Sequence, residues 1–181
     1  MKKKLGIAAS LALLCVAPAL AEGEKRELGA HEHGHSELNI AIEGNRIEME
    51  LIAPGADIVG FEHAAESKED KTAVEQAEER LGEPLPLFAL SPDAGCSVES
   101  ASVEIEGDHE EHEGEASHNE FHAAYTLTCS VPDALDGIDF AVFFDSFAGA
   151  EEIEVTVISE KGQSSYEVER DAPTVDFQGV M

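Results

Sequence analysis

The sequence predicts a mostly β protein, an antiparallel β-sandwich of about seven or eight strands with one helical insertion. Several segments alternate apolar and polar residues, which is the pattern of strands that bury one face. One long segment, 68–81, instead has its apolar residues at helical spacing. Turn-forming residues such as Gly44 and Gly162 separate the alternating segments, as they do in β-hairpins.

The first two predicted strands form a hairpin. From Ser36 to Ile42 the even-numbered residues 38, 40 and 42 are apolar, and the alternation resumes over 47–51 after the turn Glu43-Gly44-Asn45. Pro54-Gly55 then ends the second strand, since proline lacks the amide that a central strand requires.

A helix is predicted from about Lys68 to Leu81. Ser67 and Asp70 have the spacing of a capping box, and Gly82 is suited to end the helix. One stripe of the helix is apolar and consists of Val74, Ala77 and Leu81. The remaining strands are predicted at 96–105, 121–129, 138–144 and 153–158, with a last strand containing Tyr166 and Val168 after a turn at 160–163.

Residues 1–21 have the composition of a secretory signal peptide. Three lysines precede an apolar run over 5–17, and Ala19-Leu20-Ala21 offers a cleavage site. The mature chain is therefore expected to begin at Glu22, and no later stretch is apolar enough to cross a membrane. Cys15 raises the alternative of a lipoprotein, but Leu14 stands where a small residue is needed.

The chain is strongly acidic, with a formal net charge of -28. The leader contains lysines and no acids, so the mature chain is more acidic still. Such a field repels nucleic acid and anionic lipid, and it attracts cations. Most of the acids can equally be explained as a solubilising surface.

Two cysteines follow the leader, Cys96 and Cys129, and an even number in an exported chain predicts a disulfide. The bridge is expected to join the two strands that flank the acidic histidine loop, and to tie the base of that loop. The alternative is that both cysteines are metal thiolates, which an oxidising compartment disfavours.

Three histidines alternate in the predicted N-terminal arm, residues 22–35: His31, His33 and His35. Alternate residues of an extended chain point the same way, so these rings can converge on one ion. They are odd-numbered, whereas the apolar face of the first strand is even-numbered, so they should point away from the core. Neutral imidazole is the commonest protein ligand for zinc, copper and nickel.

The other five histidines are weaker candidates. His122 has Glu120 two residues before it, and the pair offers one nitrogen and one oxygen, although a solvent-facing strand residue explains His122 equally well. His63 stands alone, and a lone histidine is more often hydrogen-bonded than metal-bound. Weak, rapidly exchanging binding is expected in the acidic loop 107–118, which contains His109, His112 and His118.

Imidazole with carboxylate favours zinc, with copper(II) and nickel as competitors. A copper(I) carrier would need methionine clusters, and the mature chain has only Met49 and Met181. The acidic loop lacks the regular oxygen spacing of a calcium loop. Acidic residues such as Asp145 are further candidates for completing the coordination.

The segments 31–35, 53–63, 95–96 and 120–125 together resemble the ZrgA-like family of periplasmic zinc-regulated proteins from Gram-negative bacteria. The resemblance spans nearly the whole mature chain, and Val59-Gly60-Phe61-Glu62-His63 is its most specific part. It implies zinc binding in the periplasm, a place for His63 among the ligands, and zinc acquisition beside a zinc importer or its solute-binding protein. The loop here is short and rich in glutamate, whereas the family often has a long run of histidines.

The expected organisation is a leader at 1–21, an arm at 22–35 and a single metal-binding domain at 36–181. We expect a zinc-binding protein without enzymatic activity, because the chain has no His-Glu-x-x-His motif and no nucleophile elbow. A copper(II) or nickel chaperone and an acidic structural domain that binds no metal are the alternatives.

Overall fold

A computed structural model describes residues 33–107, 119–177 and 179–180. Nine strands are assigned within these residues: β1 His35–Glu43, β2 Arg46–Pro54, β3 Ala89–Leu90, β4 Cys96–Gly107, β5 Asn119–Cys129, β6 Gly137–Asp139, β7 Glu152–Ser159, β8 Gly162–Glu169 and β9 Thr174–Asp176. Four α-helices accompany them: α1 Gly55–Ile58, α2 Lys68–Leu81, α3 Pro84–Leu87 and α4 Ala141–Ser146. The predicted leader and most of the predicted arm lie outside the described residues.

The strands form two sheets, which confirms the mostly β, sandwich-like fold. The six-stranded sheet has the order β4-β5-β2-β1-β7-β8, and the three-stranded sheet has the order β3-β6-β9. Every neighbouring pair is antiparallel except β1 and β7, which run parallel. The alternating pattern predicted an all-antiparallel sheet, and it does not reveal this long-range pair because hairpin signals report only on neighbours in sequence.

One face of the six-stranded sheet is buried. The predicted alternation is confirmed in β1, β2 and β5, whose even, odd and odd residues respectively lie inside. Phe88 lies at the centre of an aromatic cluster that covers this face, with its ring centroid 5.9 Å from that of Tyr125, 5.8 Å from Phe140 and 5.6 Å from Phe143. Pairs of aromatic rings at these separations add stability beyond the buried area.

Helix α2 has the predicted bounds. The Ser67 hydroxyl accepts a hydrogen bond from the Asp70 amide, and the Asp70 carboxylate accepts one from the Ser67 amide, which is the predicted capping box. Ala77 and Leu81 are buried, and Gly82 is the C-cap. No α-helix in the described part of the chain is long and apolar enough to cross a membrane.

The strand predicted over 138–144 is wrong in its second half. Strand β6 ends at Asp139, and the chain continues as helix α4. The buried residues are Phe140, Phe143, Phe144 and Phe147. Their spacing of three, four and seven residues is that of a helix face, so the sequence did contain the correct signal. The Asp139 carboxylate accepts a hydrogen bond from the Ala141 amide at 2.8 Å and so supports the start of the helix.

The Cys96–Cys129 disulfide is confirmed, but its expected position relative to the acidic loop is wrong. Cys96 begins β4 and pairs with Cys129 at the end of β5, whereas Gly107 pairs with Asn119 at the opposite end of the hairpin. The acidic segment joins Gly107 to Asn119. The bridge therefore lies at the end of the β4–β5 hairpin farthest from the acidic segment, and the full length of the two strands separates the bridge from that segment.

Removing the disulfide should lower the free energy of unfolding. The bridge closes a separation of 33 residues, for which the chain-entropy model gives about 3–4 kcal/mol. Urea denaturation of the double variant Cys96→Ala, Cys129→Ala measures the loss. Two titratable thiols in the unreduced protein, or an unchanged free energy of unfolding in the double variant, would contradict it.

Candidate metal centre

All six strands of the six-stranded sheet have an end at the same side of the sheet. Because β1, β2, β5 and β4 are successively antiparallel, β7 is parallel to β1 and β8 is antiparallel to β7, the starts of β1, β5 and β7 lie at the same end as the ends of β2, β4 and β8. We call this the histidine end. His33 and His35 lie immediately before and at the start of β1, His63 follows β2, and His122 is near the start of β5. All four described histidines therefore belong to this end.

The first nitrogen–oxygen pair joins His33 to Glu62. The His33 Nε2 atom lies 3.0 Å from Glu62 Oε1, and the His33 side chain is 67% exposed, whereas Glu62 is only 14% exposed. Glu62 is in turn held through its backbone, since its carbonyl accepts a hydrogen bond from the Asn119 amide at 3.0 Å. A largely buried glutamate with a fixed backbone thus faces an exposed imidazole.

The second pair joins His35 to Glu152, which is its partner residue in the parallel β1–β7 ladder. The His35 Nδ1 atom lies 3.4 Å from Glu152 Oε1. Glu169 follows Glu152 in register on β8, so the same row of the sheet contains a second carboxylate residue. As predicted, His35 lies on the exposed face of β1 rather than in the core.

The third group surrounds His122. Its Nε2 atom lies 2.6 Å from Glu120 Oε2 and 3.7 Å from Glu106 Oε2. Glu120 is buried, with 6% of its side chain exposed, while Glu106 lies on β4 and pairs with Glu120 across the hairpin. The sequence predicted the 120/122 pair and missed Glu106. Only the register of β4 against β5 places Glu106 there, and the acidic loop between the two strands conceals that register from the sequence.

His63 differs from the other three described histidines. Its ring stacks on Phe61 with centroids 4.6 Å apart, and its Nδ1 atom lies 3.0 Å from the Ala64 carbonyl oxygen. The Asn119 side-chain amide donates to the His63 carbonyl at 3.4 Å, so the backbone of this segment is fixed against β5. The hydrogen bond from Ser67 lowers the pKa of Asp70, and the charge of His63 contributes to this shift.

A buried carboxylate that the sequence analysis did not select lies behind the first two histidines. Asp57, on α1, is 1% exposed. Its Oδ1 atom accepts a hydrogen bond from the Gly34 amide at 2.7 Å, and its Oδ2 atom accepts one from the Ser36 hydroxyl at 3.2 Å. Burial raises the pKa of Asp57, while the Gly34 and Ser36 hydrogen bonds and the charges of His33 and His35 act in the opposite direction.

In the described residues, no three or more histidine, cysteine, aspartate or glutamate side chains already form a group that could hold a metal ion. The structure instead supplies separate nitrogen–oxygen pairs. Two ligands about 2.1 Å from a tetrahedral zinc ion lie about 3.4 Å apart. The His35–Glu152 separation of 3.4 Å equals this value, whereas the His33–Glu62 and His122–Glu120 separations of 3.0 and 2.6 Å are hydrogen-bond distances that would have to widen around an ion.

Several predicted ligands cannot be placed. His31, His109, His112 and His118 lie outside the described residues. Asp145 is exposed on α4. The ligand set as a whole remains a prediction, as does the weak binding expected in the acidic loop.

A family model matches residues 30–177 of the chain. It describes a ZrgA family zinc uptake protein. The match covers both sheets, all four described histidines and the acidic loop. A search of curated proteins found no match.

Substitutions around His122 should show whether Glu106 belongs to a zinc site with His122 or forms only a surface ion pair with it. His122→Ala should weaken zinc binding more than Glu106→Gln does, and the latter should weaken it about 10- to 100-fold, as is usual when a group that supports a metal ligand is altered. Glu160→Gln, which makes the same charge change in the turn at the other end of β7, is the matched control. Zinc competition titration against a chromophoric chelator measures the affinities. Equal affinities for Glu106→Gln and Glu160→Gln would exclude Glu106 from the site.

Proposed function

The chain belongs to the ZrgA family of zinc uptake proteins, and on that premise we propose that it is a periplasmic zinc-binding protein. It would capture Zn²⁺ and pass it to a zinc importer or to the importer's solute-binding protein. Zinc is then the cargo of the protein and not a resident cofactor. No catalytic role is proposed.

The observation that carries the proposal is the pairing of histidine nitrogens with carboxylate oxygens at one end of the sheet. His33, His35 and His122 each have a glutamate oxygen within 3.4 Å. Nitrogen and oxygen donors together are the ligand types that zinc prefers where thiolates are absent. Both cysteines of the described domain are consumed in the disulfide, so thiolate coordination by them is not available.

Exposure of the donors favours capture and release over permanent retention. Structural zinc sites are closed, with four ligands around the ion. Here the side chains of His33 and His35 are 67% and 48% exposed. Donors at the surface can be reached by an incoming ion and by a receiving protein, and each pair supplies only part of a coordination sphere. Ions bound in this way exchange faster than ions in a closed site.

The charge of the chain supports the same function. A formal net charge of -28 raises the concentration of divalent cations near the surface and speeds their encounter with it. The field does not distinguish zinc from calcium or magnesium, which prefer oxygen donors alone. Selectivity for zinc over calcium and magnesium would therefore come from the imidazole nitrogens at the histidine end.

Export to the periplasm is supported by two independent features. The leader at 1–21 has the sequence of a signal peptide, and the Cys96–Cys129 bridge requires an oxidising compartment to persist. Copper(II) and nickel remain competitors for imidazole donors. Met49 is buried in the core at 2% exposure, so it is not a surface ligand for copper(I).

The double variant His33→Ala, His35→Ala should lose tight zinc binding and keep the fold. Both rings lie outside the core, so truncation leaves no cavity, while two of the three nitrogen–oxygen pairs are removed. Zinc competition titration gives the affinity, and circular dichroism checks the fold. A folded double variant that binds zinc as tightly as wild type would remove these histidines from the site.

The same variant tests the physiological role. A bacterium that encodes this chain should grow poorly in a zinc-chelating medium when the gene is deleted. Wild type should restore growth, and the double variant should not. Restoration of growth by added zinc, but not by copper or nickel, is the expected control. Rescue by copper or nickel instead would favour the chaperone alternative.

Zinc affinity should fall steeply between pH 7 and pH 5. Imidazole binds a metal only when neutral, and its reference pKa is about 6.5. Protonation below that value therefore competes with zinc. A site built from carboxylates alone would keep its ligands ionised down to about pH 4–5. Isothermal titration at several pH values measures the change, and an unaltered affinity at pH 5.5 would assign binding to the acidic surface.

A further inference from the structure

We propose that Asp57 is the positioning residue that fixes the segment His33-Gly34-His35 in its metal-binding arrangement. The inference rests on the proposed function and concerns the same site. Asp57 does not contact the ion in this proposal. It acts through the backbone that carries the two imidazoles.

The Asp57 carboxylate holds this segment at two points. Its Oδ1 atom accepts from the Gly34 amide at 2.7 Å, and its Oδ2 atom accepts from the Ser36 hydroxyl at 3.2 Å. Asp57 and Ser36 are 1% and 2% exposed, so water does not compete for these bonds. The residues on both sides of His35 are therefore tied to one carboxylate that is 23 and 21 positions away in sequence.

Gly34 is also held through its carbonyl group. Its carbonyl oxygen accepts hydrogen bonds from the Glu151 and Glu152 amides, both at 2.8 Å. Gly34 has φ of +90°, a backbone conformation that other L-residues rarely adopt. The Gly34 amide is fixed to Asp57, and the Gly34 carbonyl is fixed to the start of β7. Gly34 therefore determines the backbone positions of its neighbours His33 and His35.

The two imidazoles then face different carboxylates. His33 lies against Glu62 in the segment after α1, and His35 lies against Glu152 on β7. Both rings are largely exposed and have little packing of their own to orient them. Without the buried anchor, zinc binding would have to order this part of the chain, and the entropy lost would lower the affinity.

The position of Asp57 is itself fixed by close packing. Gly149 lies so near α1 that a Cβ atom there would approach the Ala56 carbonyl oxygen to 2.4 Å and the Asp57 Cα atom to 2.8 Å. The loop before β7 therefore packs closely against α1, and its last residue, Glu151, also binds the Gly34 carbonyl. Burying the Asp57 carboxylate costs solvation free energy. Both of its oxygens accept hydrogen bonds, one from Gly34 and one from Ser36, and these bonds offset that cost.

The test compares Asp57→Asn with Asp57→Ala in the full mature chain, using zinc competition titration. Asparagine can keep both contacts, since its oxygen accepts from Gly34 and its amide donates to Ser36, so its affinity should stay within a few-fold of wild type. Alanine removes both contacts and should weaken zinc binding about 10- to 100-fold, the usual effect of losing a group that orients metal ligands. Equal losses in both variants would mean that the charge matters and the positioning does not.

Two further measurements keep the proposal falsifiable if Asp57→Ala folds poorly. Ser36→Ala removes only one contact and should give a smaller loss in the same direction. Ile138→Ala, in the three-stranded sheet, is the control for general destabilisation and should leave zinc affinity unchanged. If Ile138→Ala lowered affinity as much as Ser36→Ala, stability alone would explain the effect and the proposal would be overturned.

A double-mutant cycle distinguishes failure of this inference from failure of the proposed function. The His33→Ala, His35→Ala background retains only weak zinc binding, and Asp57→Ala should leave that residual affinity unchanged, because Asp57 acts through those two residues. An additive loss would overturn the positioning role. If the wild-type chain does not bind zinc, or does not need His33 and His35, the proposed function itself fails. If it binds through them and folded Asp57→Ala binds equally well, only the inference fails.

Discussion

The parallel pairing of β1 with β7 is the constraint on which the rest of the structure depends. It joins four strands from the first part of the domain to the β7–β8 hairpin from the last part, and so makes one six-stranded sheet. It also places Glu152 beside His35, and it allows the Glu151 and Glu152 amides to donate hydrogen bonds to the Gly34 carbonyl. Without this pair, β7 would not continue the buried face of the sheet beside β1. His35 would lose its contact with Glu152, and the Gly34 carbonyl would lose its hydrogen bonds with the Glu151 and Glu152 amides.

The histidine end combines a rigid base with accessible donors. Asp57, Ser36 and Glu120 are buried beneath it, whereas the rings of His33 and His35 reach into solvent. Burying charged groups carries a desolvation cost, which the hydrogen bonds of Asp57 offset. This arrangement suits the proposed capture and release of an ion, since the backbone is ordered in advance and the donors remain exposed.

Much of the fold could be predicted from local patterns. The hairpin β1–β2, the strand β5 and the helix α2 with its capping box follow from residues that are adjacent or regularly spaced, and the disulfide follows from the even number of cysteines after the predicted leader. The prediction failed where a helix was short and aromatic. The apolar run over 138–144 predicts a buried strand, whereas the spacing of its buried phenylalanines is that of a helix face and the structure forms α4 there. Short apolar segments carry too few residues for either period to dominate.

The sequence by itself determined the candidate donors of the proposed zinc site: the acidic charge, the alternating histidines of the arm, and the Glu120–His122 pair two residues apart on one strand. These are local properties, fixed by residue type and by the two-residue period of a strand. Only the tertiary structure decided that Glu62, Glu106 and Glu152 lie within 4 Å of a histidine nitrogen, and that Asp57 accepts a hydrogen bond from Gly34. Each of these contacts depends on strand register or on a loop crossing between distant segments, and no local pattern encodes such a contact because it arises only when the whole sheet forms.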